Sequence, residues 1–142
     1  MLTASFISMP NSLDMLLKNA GPVTRRKALR EALTYLRRIN VKRIKSNLTP
    51  DGLPMKDRSK GTGKMFRSIT KQMKRIQRGD FAELGFYGSA GRLAANHHYG
   101  RTIKTKTHDI EMPVRKLLGI NIQDAKAVHA IFIKHLLQGV QL

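Results

Sequence analysis

The chain has no cysteine and no tryptophan, and its carboxylates are scarce: nine Asp and Glu stand against 27 Lys and Arg. Without cysteine, disulfides and thiolate metal sites are excluded, and a cytosolic origin is the simplest reading. With no Trp, three Tyr and five Phe, there is little aromatic surface on which single-stranded bases would stack. The few carboxylates are scattered. Asp109 and Glu111 are neighbours, but they lie in a basic, extended stretch where ion pairing is their expected use. Acid–base catalysis needs a positioned pair or a partnered His, and the sequence offers no such group and no nucleophile. No enzyme activity is expected. No apolar run of about 18 residues occurs, so no membrane-spanning helix is expected. The N-terminal stretch lacks a positive start and is interrupted by Asp14, which does not read as a signal peptide.

What is present in excess is positive charge, a net +18 with a pI near 11.1. Such a chain repels its own copies and attracts polyanions. Nucleic acid, an acidic protein partner and a merely solvated basic surface all fit. The charge is uneven: residues 37–78 hold 14 basic and 2 acidic residues, which is 12 of the 18 net charges. Residues 117–142 hold Lys126 and Lys134 against Asp124 and are nearly neutral.

The length of 142 residues suits one domain. Residues 1–21 read as a helical extension, with a short helix from Met9 to Asn19 stopped by Gly21-Pro22. A long amphipathic helix is expected from Val23 to Asn47. Leu29, Leu33, Leu36, Ile39 or Asn40, and Ile44 form its apolar stripe, with a basic back. Thr49-Pro50-Asp51-Gly52 is a turn signal, and residues 49–63 read as a long, flexible basic loop. Lys64 to Ile69 suggests a helical turn. Lys71–Gln77 and Phe81–Tyr87 read as a hairpin across Arg78-Gly79-Asp80. Gly91–Tyr99 reads as a helix with Leu93, Ala94 and His97 on one side, closed by Gly100 in a left-handed cap. Residues 101–112 form an extended arm or edge strand, where Lys104 and Lys106 blunt the edge. The last helix runs from Ile122 to Gln138, capped by Asn121, with Ile122, Ala125, Val128, Ile131 or Phe132, His135 and Leu136 as its stripe. The fold class is therefore α+β: a long basic helix and a C-terminal helix packed on a small antiparallel sheet.

The stretch KDRSKGTGKMF, residues 56–66, resembles a phosphate cradle but fails as one. Met65 follows Gly63-Lys64 where a hydroxyl is needed, Arg58 stands where the first glycine belongs, and no apolar strand precedes. His97, His98 and His108 supply imidazoles, but adjacent histidines on a helix point apart, and no His-x-x-x-His pair occurs. No cofactor or metal is expected.

Four segments, taken in order, carry a resemblance: RRINVKRIKSNLTPDGLPM, KMFRSI, FAELGFYGSAGRLAANHHYG and MPVRKLLGI, followed by a final amphipathic helix. Together they resemble the phage virion morphogenesis (tail completion) family of contractile-tailed phages, over roughly Leu29 to Leu137. The matching positions are Pro50, Asp51 and Gly52; Lys64, Met65 and Phe66; Arg92, Ala94, His98, Tyr99 and Gly100; and Pro113, Arg115, Leu117, Leu118 and Gly119. Met55 and Val114 depart from the pattern, where an aromatic and a smaller residue are common.

The resemblance implies a structural α+β subunit that completes the head-proximal end of the tail and joins it to the head or neck. It implies a ring, often sixfold in related tail proteins. The implied partners are further copies, tail-tube, tail-terminator and head–tail connector proteins, with possible DNA in the neck lumen and no membrane. The implied location is the virion, with the host cytoplasm during assembly. Three interaction zones are expected: Arg37, Arg38, Lys42 and Arg43 on the basic helix; Lys56, Arg58, Lys60 and Lys64 in the loop; and Arg101, Lys104 and Lys106 on the arm. Arg115 is expected to form a structural or an interface ion pair. The alternative reading is a sequence-nonspecific DNA-binding protein.

Overall fold

The computed structural model describes the backbone of residues 2–5 and residues 20–58, 66 and 68–138. The elements in order are strand β1 (Leu2–Ser5), helix α1 (Pro22–Lys45), a 3-10 turn (Ile69–Gln72), β2 (Met73–Arg78), β3 (Phe81–Phe86), helix α2 (Gly88–Tyr99), β4 (Thr102–Lys104), β5 (Asp109–Glu111) and helix α3 (Ile122–Gln138). The expected α+β class holds. Strand β3 is the centre of a three-stranded antiparallel sheet in the order β1-β3-β2, and β4 pairs with β5 as a separate hairpin.

Helix α1 is the organising element. Pro22 starts it, where a missing amide donor costs nothing, and Asn47 at φ 57 ends it in the left-handed region. The Leu48 amide reaches back to the Arg43 carbonyl at 2.8 Å. Lys42, Arg43 and Lys45 in its last turn suit the negative end of the helix dipole. Ala28, Leu29, Ala32, Leu33, Leu36, Asn40 and Ile44 are its buried residues. One flank packs on β2 and β3, the other on α3. The core joins this face to Met73, Ala82, Leu84 and Phe86 of the sheet, Val128 and Phe132 of α3, and Leu117 and Leu118. Burying a side chain the size of Phe86, Leu36 or Phe132 contributes about 1.5–3 kcal/mol each.

Three expectations change. The chain does not begin with helix: Leu2–Ser5 adds a strand to β3, in the register Leu2↔Phe86 to Ser5↔Glu83. The expected helix Met9–Asn19 lies outside the described residues. Leu93 is exposed, while Ala94 and His97 of the same helix are buried. In α3, Ile122 is 73% exposed, and the slot expected for an apolar residue at its start is filled by Asp124. The cause is electrostatic, because the first turn of α3 meets Arg43.

Gly100 closes α2 as expected, at φ 64. A Cβ there would stand 2.7 Å from Val114 Cγ2 and 3.1 Å from the Met112 carbonyl, so the return chain packs directly on this glycine.

Candidate interaction surface

All of the expected interaction residues are basic, and the structure divides the described ones into two groups. Arg43 and Arg115 act inside the fold. The Arg43 guanidinium donates to both carboxylate oxygens of Asp124, at 2.6 and 2.5 Å. Asp124 is 1% exposed. The same carboxylate accepts the Asn121 amide at 3.1 Å while Asn121 Oδ1 accepts the Asp124 amide at 2.9 Å, a reciprocal cap on α3. Asn121 is thus the expected cap, and Arg43 is committed to it rather than offered to a partner.

Arg115 forms no salt bridge among the described residues. It is 3% exposed. Its Nε and Nη2 donate to the Lys56 and Asp57 carbonyls, both at 2.7 Å, and its Nη1 lies 3.2 Å from His97 Nδ1. Arg115 is therefore a fork holding loop backbone, in place of the expected ion pair. Burial pulls its pKa below the usual arginine value, and Asp57 opposes the shift. His97 is held in turn by Phe66, edge-on at 4.9 Å between ring centroids.

This cluster changes the picture of residues 49–63. Their first half is fixed. Leu48 bridges to Pro54, the Met55 amide donates to the Asn47 carbonyl at 2.8 Å, and Met55 is buried. Asn121 Nδ2 donates to the Pro50 carbonyl at 2.8 Å, and a Cβ on Gly119 would stand 2.9 Å from Pro50 Cγ. Asn40 Oδ1 accepts the Gly119 amide at 3.1 Å. The Pro50-Asp51-Gly52 turn and the Pro113–Gly119 segment are thus tied together around the end of α1. Sequence reasoning missed this tie. The signal that pointed to it was a polar residue, Asn40, in the apolar stripe of α1.

The second group faces solvent. Arg38 and Lys42 are exposed on α1, with the Arg38 guanidinium 5.5 Å from the Tyr35 ring centroid. Arg37 is half-buried, its Nε 3.5 Å from the Met73 carbonyl. Lys56 and Arg58 are exposed, while Lys60 and Lys64 lie outside the described residues. Arg101, Lys104 and Lys106 are exposed on the arm, and Arg101 stacks over Tyr99 at 5.1 Å. The arm is a hairpin, Thr102↔Glu111 to Lys104↔Asp109, closed by the Thr105 amide donating to the His108 carbonyl at 3.0 Å. Strand β2, beside basic helix α1, adds Lys74, Arg75 and Arg78, which sequence reasoning had not singled out. Arg75 Nη1 donates to Thr34 Oγ1 at 2.9 Å, so β2 runs along the flank of α1.

Among the described residues no group of three or more His, Cys, Asp or Glu is gathered as a metal site, and no helix is long and apolar enough to cross a membrane. The histidines of α2 serve the fold. His98 Nδ1 accepts the Leu117 amide at 3.2 Å, and its pKa is lowered by burial first and by Lys116 second. Burial first, then the Arg115 charge, lowers the His97 pKa from 6.5 to about 4. With Nδ1 accepting from Arg115, the His97 proton sits on Nε2.

A pH prediction follows from that shift. Between pH 6.5 and about 4 the unfolded chain binds a proton that folded His97 refuses. Stability therefore falls as pH drops through that window. The loss from this one group reaches about 3 kcal/mol by its lower end, and His98 acts in the same direction. Glu31, whose pKa is lowered first by the hydrogen bond from Lys134, contributes stability that is lost only below 4.5. Urea midpoints measured from pH 7 to 4 should fall steadily, and H97Q should flatten the slope. Equal slopes in the two proteins would remove His97 as the cause.

A profile of the phage virion morphogenesis family matches residues 6–137. The tail completion protein S of Escherichia phage P2 is 27% identical over 145 aligned positions, covering 92% of this chain and 97% of its own. No solved structure matches the chain.

Proposed function

The chain belongs to the phage virion morphogenesis family, and from that premise we propose that it is a structural protein of the phage tail. It completes the head-proximal end of the tail and takes part in joining the tail to the head. It works by binding and not by catalysis. The observation that carries this is similarity along nearly the whole of both chains to a tail completion protein. The alignment spans 92% of this chain and 97% of the relative, so the likeness is not confined to one motif.

Its partners are other copies of itself in a ring, for which six is the expected number, and tail-tube, terminator and connector proteins. The exposed zones, Arg38 with Lys42, Lys56 with Arg58, and Arg101 with Lys104 and Lys106, meet acidic faces of these neighbours or the DNA in the neck lumen. Complementary charge would speed and orient such docking. The protein acts in the host cytoplasm during assembly and stays in the finished virion. Immunogold labelling of purified particles tests this: gold at the head end of the tail is expected, and unlabelled particles in a stock that makes the protein would contradict it.

One observation favours a second reading, sequence-nonspecific DNA binding, and that is the net charge of +18. It differs in outcome. A DNA binder of this kind binds duplex as a free subunit, with affinity falling steeply as salt rises.

A further inference from the structure

We propose that β5 of one copy adds to the open edge of β2 on the next copy, so that the β4–β5 arm is the link between subunits. The contact rests on the self-assembly reading above and gives it a site.

The first observation is that, among the described residues, the strands of the arm pair with no other strand. Its two three-residue strands pair with each other, and all of Asp109–Glu111 is exposed. A lone two-stranded hairpin is marginal in water. Such an arm gains order when a third strand joins it.

The second observation is charge. A subunit of net +18 repels its copies unless an acidic surface meets a basic one. Among the described carboxylates, Glu31, Asp80 and Asp124 are in salt bridges, and Glu83 is half-buried. Asp51 and Asp57 are exposed singly in the 48–57 segment. Only Asp109 and Glu111 lie together on one strand, and among the described residues neither forms a salt bridge. The arm is thus two-sided, with Lys104 on its basic strand and the two carboxylates on its acidic one.

The third observation is the receiving edge. Strand β2 pairs only with β3, so its other edge is open among the described residues. Arg75 and Gln77 reach toward α1, which leaves Lys74, Ile76 and Arg78 on the opposite face. Asp109 and Glu111 also share one face, with Ile110 on the other. Set beside β2, one carboxylate stands opposite Arg78 and the other stands diagonal to Lys74, distances at which cross-strand charges interact. Cations on an edge strand ordinarily repel further pairing. Here they reject a basic strand and admit an acidic one, which selects β5 over β4. Because β5 and β2 are different surfaces, the contact is heterologous and propagates around a ring.

Sedimentation equilibrium on the nuclease-treated full chain tests the contact. The wild type should self-associate. D109K/E111K should raise the dissociation constant about tenfold or more, and K74E/R78E should do the same, because like charges then face each other. The quadruple variant should recover self-association, and the two double variants should associate when mixed. Circular dichroism and the melting temperature establish that each variant folds. A wild type that stays monomeric, an association removed by nuclease, double variants that associate like wild type, or a folded quadruple variant without recovery would each overturn the contact. None of these outcomes bears on whether the protein sits at the head end of the tail, which the particle labelling decides separately.

Discussion

Replacing Asp124 with alanine is expected to cost about 3–5 kcal/mol of folding stability, because it leaves Arg43 as an uncompensated charge in a nearly closed site. Asp124 is 1% exposed and accepts both Arg43 donors and the Asn121 amide. The cap it forms on α3 adds about 1 kcal/mol to the loss. The pair also sets register. Arg43 sits near the C-terminal end of α1 and Asp124 at the start of α3, while Glu31 meets Lys134 and His135 at the opposite ends, so the helices are pinned antiparallel at two points. The outer pair is exposed and contributes little. Chemical denaturation of D124A, R43M and the double variant measures this. The double variant should be much less destabilised than the sum of the singles, since removing both partners strands no charge. Additive losses would contradict the account.

Replacing Arg115 with methionine is expected to cost about 3 kcal/mol, since two carbonyls lose a charged donor inside the fold. Those carbonyls belong to Lys56 and Asp57, and the third contact is His97, which also carries Phe66 on its edge. The loss should therefore be felt in the basic segment as much as in the core. Limited trypsinolysis at Lys56 and Arg58 should quicken by about tenfold in R115M, as expected where cleavage follows local opening. R115K should not restore the wild-type rate. An ammonium is a point donor and cannot span two carbonyls and an imidazole as the guanidinium fork does. A wild-type digestion rate in R115M would show that other contacts hold the segment.

Periodicity and punctuation showed much of the fold in the sequence. The stripe of α1, the β2–β3 hairpin across Gly79 and the left-handed Gly100 follow from local rules, because each depends on residues close in sequence. Strand β1 was not legible, because its pairing partner β3 is about 80 residues away and short strands carry little periodic signal. Ile122 was misplaced for the same reason: its helix has an apolar period, but Arg43 on a distant helix turns Asp124 inward instead. The basic zones were legible as charge and not as contacts. Arg43 and Arg38 look alike in the sequence, yet one grips Asp124 and the other stands in solvent over Tyr35. Only packing separates a structural arginine from one available to a partner. The open edge of β2 and the acidic strand of the arm became visible only once pairing was known.

Particles made without this protein test its place in the tail most directly. A phage or prophage lacking its gene should be induced, and the lysate imaged with heads, tails and joined particles counted. Filled heads beside unattached tails are the expected result, with joined particles restored when the wild-type gene is supplied in trans. Joined, infectious particles in normal yield without the protein would contradict the tail-completion role and return the positive charge to nucleic acid.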